Sequence, residues 1–324
     1  MAAADQIKSL IKSFGDGDEE RFFSSAMQIA ASEARNGHTT FAQELKLLIE
    51  KARKNRSLSF LDRNKTIPIS QSKRELHELI EVFQPKIRLN DMILAPEVMA
   101  ALIKLVNEQR KWEMLRQYNL MPRRKLLLLG PPGCGKTMTA QALAGELGIP
   151  VFIMRLDGLI SKFMGESIAK LRLIFDAMPD HRGVYLFDEF DSIGSHRNQG
   201  QDVGEIKRVL NSFLINIEKD QSNSIIIAAT NMPEALDKAL FRRFDDIITY
   251  PLPDKNEIID TIKKNLSGFK FSEKINYQDL AKEAEGLNYS DIVRACEETI
   301  KEMILHGLKK LKKSEMIGSL KKRN

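Results

Sequence analysis

An apolar run, Leu126–Leu129, stops at Gly130-Pro-Pro-Gly-Cys-Gly-Lys136-Thr137, and a helical pattern from Met138 to Leu147 follows. The spacing G-x-x-x-x-G-K-[ST], set between a strand and a helix, is the pattern that most narrows what this chain can fold into. Backbone N–H groups of such a glycine-rich turn converge on a phosphate-sized hollow, and the helix N-terminus adds positive potential. Lys136 is placed to reach β- and γ-phosphates, and the Thr137 hydroxyl to hold Mg²⁺.

The surrounding text has the period that such a loop requires. Short apolar runs at 125–129, 150–154, 184–187 and 225–229 alternate with helical patterns. Buried runs of this kind predict an α/β domain, a parallel sheet covered by helices on both faces. We expect this domain over residues 86–252. From 253 to 324 the pattern is helical again, a small all-α domain in which Gly268 and Gly286 act as stops. Before residue 56, three amphipathic stripes (Ile7/Leu10/Ile11/Phe14, Phe22/Phe23/Met27/Ala30 and Phe41/Leu45/Leu48/Ile49) predict a helical bundle over 1–55. Asp18 is suited to cap its second helix, and Thr40-Phe-Ala-Gln43 has capping-box spacing for the third. Residues 56–85, rich in Lys, Arg, Asn and Ser, are expected to be linker.

Two further strand ends carry chemistry. The run 184–187 ends in Asp188-Glu189, which offers one carboxylate to a metal and a second to polarise an attacking water. The run 225–229 leads to Thr230-Asn231, whose amide is placed to orient that water, although Asn is also an ordinary turn residue. Arg242-Arg243 follows; the pair fits a salt-bridged helix end or a guanidinium supplied to a neighbour's phosphoryl-transfer site.

In this order, over residues 87–300, these elements resemble the AAA family of ATPases within the AAA+ class. The resemblance implies a P-loop NTPase fold, with Gly130–Thr137 as Walker A and Asp188-Glu189 as Walker B. Asn231 would be sensor 1, and Arg242 and Arg243 the arginine fingers, whose usual spacer is missing here. Catalytic roles then fall to Lys136, Asp188, Glu189, Asn231, Arg242 and Arg243, with Mg²⁺ on Thr137 and Asp188. ATP would contact Pro132, Gly133, Cys134, Gly135, Lys136, Thr137 and Met138 of the loop. Asp91, Met92 and Ile93 would cradle adenine, and Gly286-Leu-Asn-Tyr-Ser290-Asp291 would be the lid's sensor-2 segment, with Ser290 where other clades place arginine.

The resemblance also bears on purpose. By the residues alone, Phe163 and Met164 fit a core as well as an exposed loop. Lys162-Phe163-Met164-Gly165 is similar to the axial pore loop of AAA protein translocases, which implies a homohexameric ring that threads, unfolds or disassembles polypeptides. The polar stretch 195–202 would be a second channel loop or inert. Rival expectations are a nucleic-acid motor and a slow nucleotide-dependent regulatory switch. The bundle, with eight basic and eight acidic residues, is expected to dock an adaptor, a substrate or a companion protease. It resembles the three-helix microtubule-interacting-and-transport module of meiotic-clade AAA proteins.

Charge enters only at the end of the chain. Of the net +6, all is carried by residues 301–324, where eight basic side chains face two acidic ones. A nucleic-acid footprint over the whole surface is thereby excluded, and only Lys321–Arg323 are left as a candidate phosphate contact. Leu305, Leu308 and Leu311 predict that the last helix runs on through Lys309–Lys313. Two cysteines make no disulfide framework, the five histidines lack metal-ligand spacing, and no stretch approaches ~20 apolar residues. A cytoplasmic protein without membrane contact is the expectation.

Overall fold

The computed structural model describes residues 19–35, 37–56, 80–154, 166–193, 203–236 and 238–324. The chain divides into two units, residues 1–67 and 68–324. In the first, α1 (Glu19–Arg35) and α2 (Thr39–Arg56) pack on each other. Ser25, Ala26, Ala30 and Ala42 are buried there, while Phe41, Leu47 and Leu48 are exposed. Because α2 starts at Thr39, Thr40 lies inside its first turn rather than at a cap. The expected first helix and the Asp18 cap fall outside the described residues.

The second unit runs β1 (Ile80–Phe83), α3 (Pro96–Arg110), α4 (Trp112–Gln117), β2 (Lys125–Leu129), α5 (Lys136–Leu147), β3 (Val151–Met154), α6 (Glu166–Ala177) and β4 (Val184–Phe187). It continues with α7 (Val203–Lys219), β5 (Ile225–Thr230), α8 (Lys238–Phe241) and β6 (Asp246–Thr249), then α9 (Lys255–Asn265), α10 (Tyr277–Glu283), α11 (Tyr289–Leu305) and α12 (Lys313–Lys321). The six strands lie in the order β1-β3-β4-β5-β2-β6. All neighbours are parallel except β1, which pairs antiparallel with β3. Since β1 falls within the stretch expected to be linker, its four residues extend the sheet by one edge strand.

Alternation along β2 shows why the apolar runs fold this way. Leu127 and Leu129 point into one layer with Phe175 and Phe213; Leu126 and Leu128 point into the other with Leu102, Ala140 and Leu143. Both faces of the central strands are dry, so β2 is apolar and buried from Leu126 to Leu129 and β4 throughout. A third core, built from Ile258, Ile262, Leu280, Ile292, Cys296, Met316 and Leu320, holds α9–α12 together.

One expectation about the end of the chain is corrected. The helix does not continue through Lys309–Lys313: α11 stops at Leu305, with His306 as its C-cap and Gly307 at φ 64°. The chain turns, Leu311 is buried, and α12 starts at Lys313. Burying Leu311, Met316 and Leu320 in the third core outweighs continuing an exposed helix.

Candidate nucleotide site

β2 ends at Leu129 and the loop that follows is held by close backbone contact. A Cβ on Gly130 would sit 2.4 Å from the carbonyl oxygen of Tyr250, so only glycine fits. Lys136 opens α5 and is buried, which lowers its pKa. Its Nζ donates to the carbonyls of Gly130 and Pro131, both at 2.8 Å, and to Asn231 Oδ1 at 2.7 Å. The Thr137 hydroxyl donates to Asp188 Oδ2 at 2.6 Å. Three strand ends that are distant in sequence, β2, β4 and β5, therefore meet around one ammonium and one carboxylate.

Glu189 has φ 50°, a left-handed conformation that costs a non-glycine residue about 1 kcal/mol or more. Its backbone N–H donates to Asp188 Oδ1 at 2.9 Å. Asp191 braces the neighbouring strand end: its Oδ1 accepts from the Thr230 hydroxyl at 2.9 Å and from the Asn231 N–H at 3.2 Å. In turn, Thr230 Oγ1 accepts from Met232 N at 3.0 Å. Asn231 is thus fixed through its backbone while its amide oxygen faces Lys136.

A cleft of about 730 Å³ opens from this cluster. At its other end, a single helical turn, Leu89–Asp91, and the residues that follow it line the cleft with Asp91, Met92 and Ile93, while Leu89 is buried beneath. The opposite wall is helical: Thr261, Lys264 and Asn265 from α9, and Tyr289, Ser290, Val293, Arg294 and Glu297 from α11. Two hydrogen bonds cross between the walls. Lys264 Nζ donates to the Asp91 carbonyl, and Ser290 N donates to the Gly133 carbonyl at 3.2 Å. A Cβ on Gly133, at φ 72°, would meet Asn288 Oδ1 at 2.4 Å, so helical wall and loop touch.

All loop residues from Pro132 to Met138 line the cleft, as do Asp91, Met92, Ile93, Asp188, Glu189, Asn231 and Ser290. Arg242 and Arg243 do not. Arg242 is exposed, and Arg243 Nε lies 2.7 Å from Glu218 Oε1 at the end of α7, an ion pair rather than an aligned hydrogen bond. Lys162, Phe163, Met164, Gly165 and the stretch 195–202 lie outside the described residues. Sequence reasoning missed Asp191, Thr261, Lys264, Asn265 and Arg294, and reached Tyr289 only as part of the 286–291 segment. For Asp191 a signal existed, a third carboxylate just past the strand end; the lid residues had none.

The donor set fits what the motif requires. A glycine-rich loop at a helix N-terminus with a buried ammonium suits a triphosphate, and a hydroxyl beside a carboxylate suits a hard divalent cation. Together with a mainly parallel sheet whose strand ends carry the site, this defines a P-loop nucleoside triphosphatase.

A model of the "ATPase family associated with various cellular activities (AAA)" matches residues 126–252. An uncharacterised AAA family ATPase, y4kL of Sinorhizobium fredii, is 32% identical over 323 residues, covering 99% of this chain and 95% of that one. The ATP-dependent zinc metalloprotease FtsH of Helicobacter pylori is 33% identical over 218 residues, but these are 64% of this chain and only 34% of that relative. A solved chain from work on the structural basis for katanin self-assembly aligns with TM-score 0.62 at 25% identity, over 79% of this chain and 92% of its own. The chain belongs to the AAA family of ATPases, and it binds and hydrolyses ATP.

Proposed function

We propose that this ATPase is a ring-forming motor that remodels protein substrates. The observation that carries the proposal is the position of Arg242. It is exposed and outside the chain's own cleft, which suits a guanidinium completing the site of an adjacent copy. ATP would lie with its phosphates on the 130–137 loop and its base against Asp91–Ile93 and α9. Thr137 and Asp188 would hold Mg²⁺, which supplies charge neutralisation when bound. Glu189 would take the proton of the attacking water, and Asn231 would orient it.

Protein as the substrate class is supported by the pore-loop resemblance of Lys162–Gly165 and by a relative that is an ATP-dependent protease. Residues 1–55 would dock the substrate or an adaptor, with the α/β domain over 86–252 and the lid over 253–324. Nucleic acid is disfavoured by the partners of the basic end. Lys313 pairs with Asp279, Lys321 with Glu283, and Lys322 and Arg323 with Glu298. No helix among the described residues is long and apolar enough to cross a membrane.

The test uses Glu189→Gln in the full chain. With ATP and Mg²⁺ it should sediment as a stable ring and retain a polypeptide client. Mixing Arg242→Ala subunits with Lys136→Ala subunits should restore some hydrolysis through hybrid interfaces. A protein that stays monomeric with ATP bound, or whose turnover rises steeply with added DNA or RNA, defeats the proposal.

A further inference from the structure

The two bonds that cross the cleft come from different lid helices. Lys264, on α9, reaches the base end at Asp91, and Ser290, on α11, reaches the phosphate end at Gly133. Whatever fixes α9 relative to α11 therefore sets the distance between the two ends of the nucleotide site. The shared apolar core of the lid holds the helices together, but hydrophobic attraction is non-directional and does not by itself specify which polar groups face each other.

One directional link joins the helices close to the cleft. The Tyr289 hydroxyl donates to Glu257 Oε2 at 2.9 Å. Glu257 is buried, and the same oxygen accepts from Asp254 N at 2.9 Å, closing the capping box that starts α9. One turn on, Thr261 Oγ1 donates to the Glu257 carbonyl at 2.7 Å, and Thr261 lines the cleft. The Tyr289 ring meanwhile packs against the sheet layer that contains Met92, Leu94 and Cys134. Burial, with the Glu257 carboxylate beside it, raises the phenol's pKa well above the ordinary value, so the hydroxyl stays a donor throughout the working pH range.

We propose that Tyr289 is a positioning residue for ATP: through Glu257 it locks the base-contacting helix to the phosphate-contacting helix, so that the cleft reads adenosine and triphosphate as one rigid ligand. The inference rests on the cleft being the ATP site. Losing the lock costs ATP the advantage of having both halves pre-spaced, yet leaves each half-site able to bind its own fragment.

The experiment compares the full chain with Tyr289→Phe, Glu257→Gln and the double variant. It measures KM and kcat for ATP, and dissociation constants for ATP, inorganic triphosphate and adenosine. Tyr289→Phe should raise the KM and Kd for ATP about tenfold, the size expected for one hydrogen bond to a buried charge, and lower kcat less than about threefold. Triphosphate and adenosine should each bind within about twofold of the parent, and the double variant should be no worse than the single ones. If Tyr289→Phe fails to fold, Glu257→Gln, which keeps the apolar packing, should give the same split at smaller size. ATP affinity within about twofold of the parent in both variants overturns the lock, as does equal weakening of ATP and its fragments. Lys136→Ala separates the two levels: if it leaves triphosphate binding intact, the assignment of the cleft has failed, and the lock with it.

Discussion

The two ends of the cleft are built in opposite ways. At the phosphate end, one loop and three strand ends from a sheet dry on both faces converge on Lys136 and Asp188 within 2.6–2.8 Å. At the base end, a single turn of chain faces two helices of a separate small core, joined across the gap by the Lys264 bond to Asp91. The first end is tied mainly by direct bonds within one core, with a lid contact from Ser290 to Gly133. The second is a contact between two packed bodies, whose spacing depends on a few side chains. In the proposed reading, the chemistry that tolerates least misplacement would rest on groups bonded at the strand ends, and affinity for the rest of the ligand on the contact between two cores.

That contrast can be broken by experiment. Lys136→Ala should lower kcat/KM by about a thousandfold or more, and Glu189→Gln should lower kcat about a hundredfold or more while ATP stays bound. If either loss were mild, the phosphate end would not be the reaction centre. Asp191→Ala removes the brace on Thr230 and Asn231; kcat should fall about tenfold with a smaller change in KM, as steady-state kinetics would reveal. Lys264→Ala should do the reverse, raising KM about threefold with the smaller effect on kcat. Equal effects of these two on both parameters would erase the distinction between the ends.

The smallest effect belongs to a site outside the cleft. Burial pushes the Glu108 carboxyl up, but the Arg123 guanidinium, which also pairs with Asp246, more than reverses this and leaves it below the usual glutamate range. A depressed folded pKa means that this ion pair contributes fully above the unfolded value of about 4.3 and is lost as pH falls through the lower folded value. Arg123→Ala should lower Tm by about 3–6 °C at pH 7, with a smaller penalty near pH 3, in thermal scans.

Legibility followed the range of the interactions. The 130–137 loop, Asp188-Glu189 and Asn231 were readable because each lies within a residue or two of a strand end, and a strand followed by a special turn is a local pattern. Thr261, Lys264 and Arg294 read as ordinary helix residues, since their role depends on which face of α9 or α11 turns to a loop far back in the sequence. The same limit explains the basic end. Spacing of Leu305, Leu308 and Leu311 suits one long helix, yet a turn at Gly307 sends Leu311 into the lid core and the lysines to carboxylates of α10 and α11. A charge excess that stood out in the sequence is largely a matter of pairing within the lid.

By itself, then, the sequence determined the phosphate loop, the carboxylates at the strand ends and the alternation that makes a parallel sheet, because each follows from neighbouring residues and the periods of strand and helix. Tertiary structure alone decided the base-end wall, the link between Tyr289 and Glu257, the Glu218 partner of Arg243 and the turn before α12. These depend on residues distant along the chain becoming neighbours, and buried area and directional bonds summed over the whole fold determine which of them do.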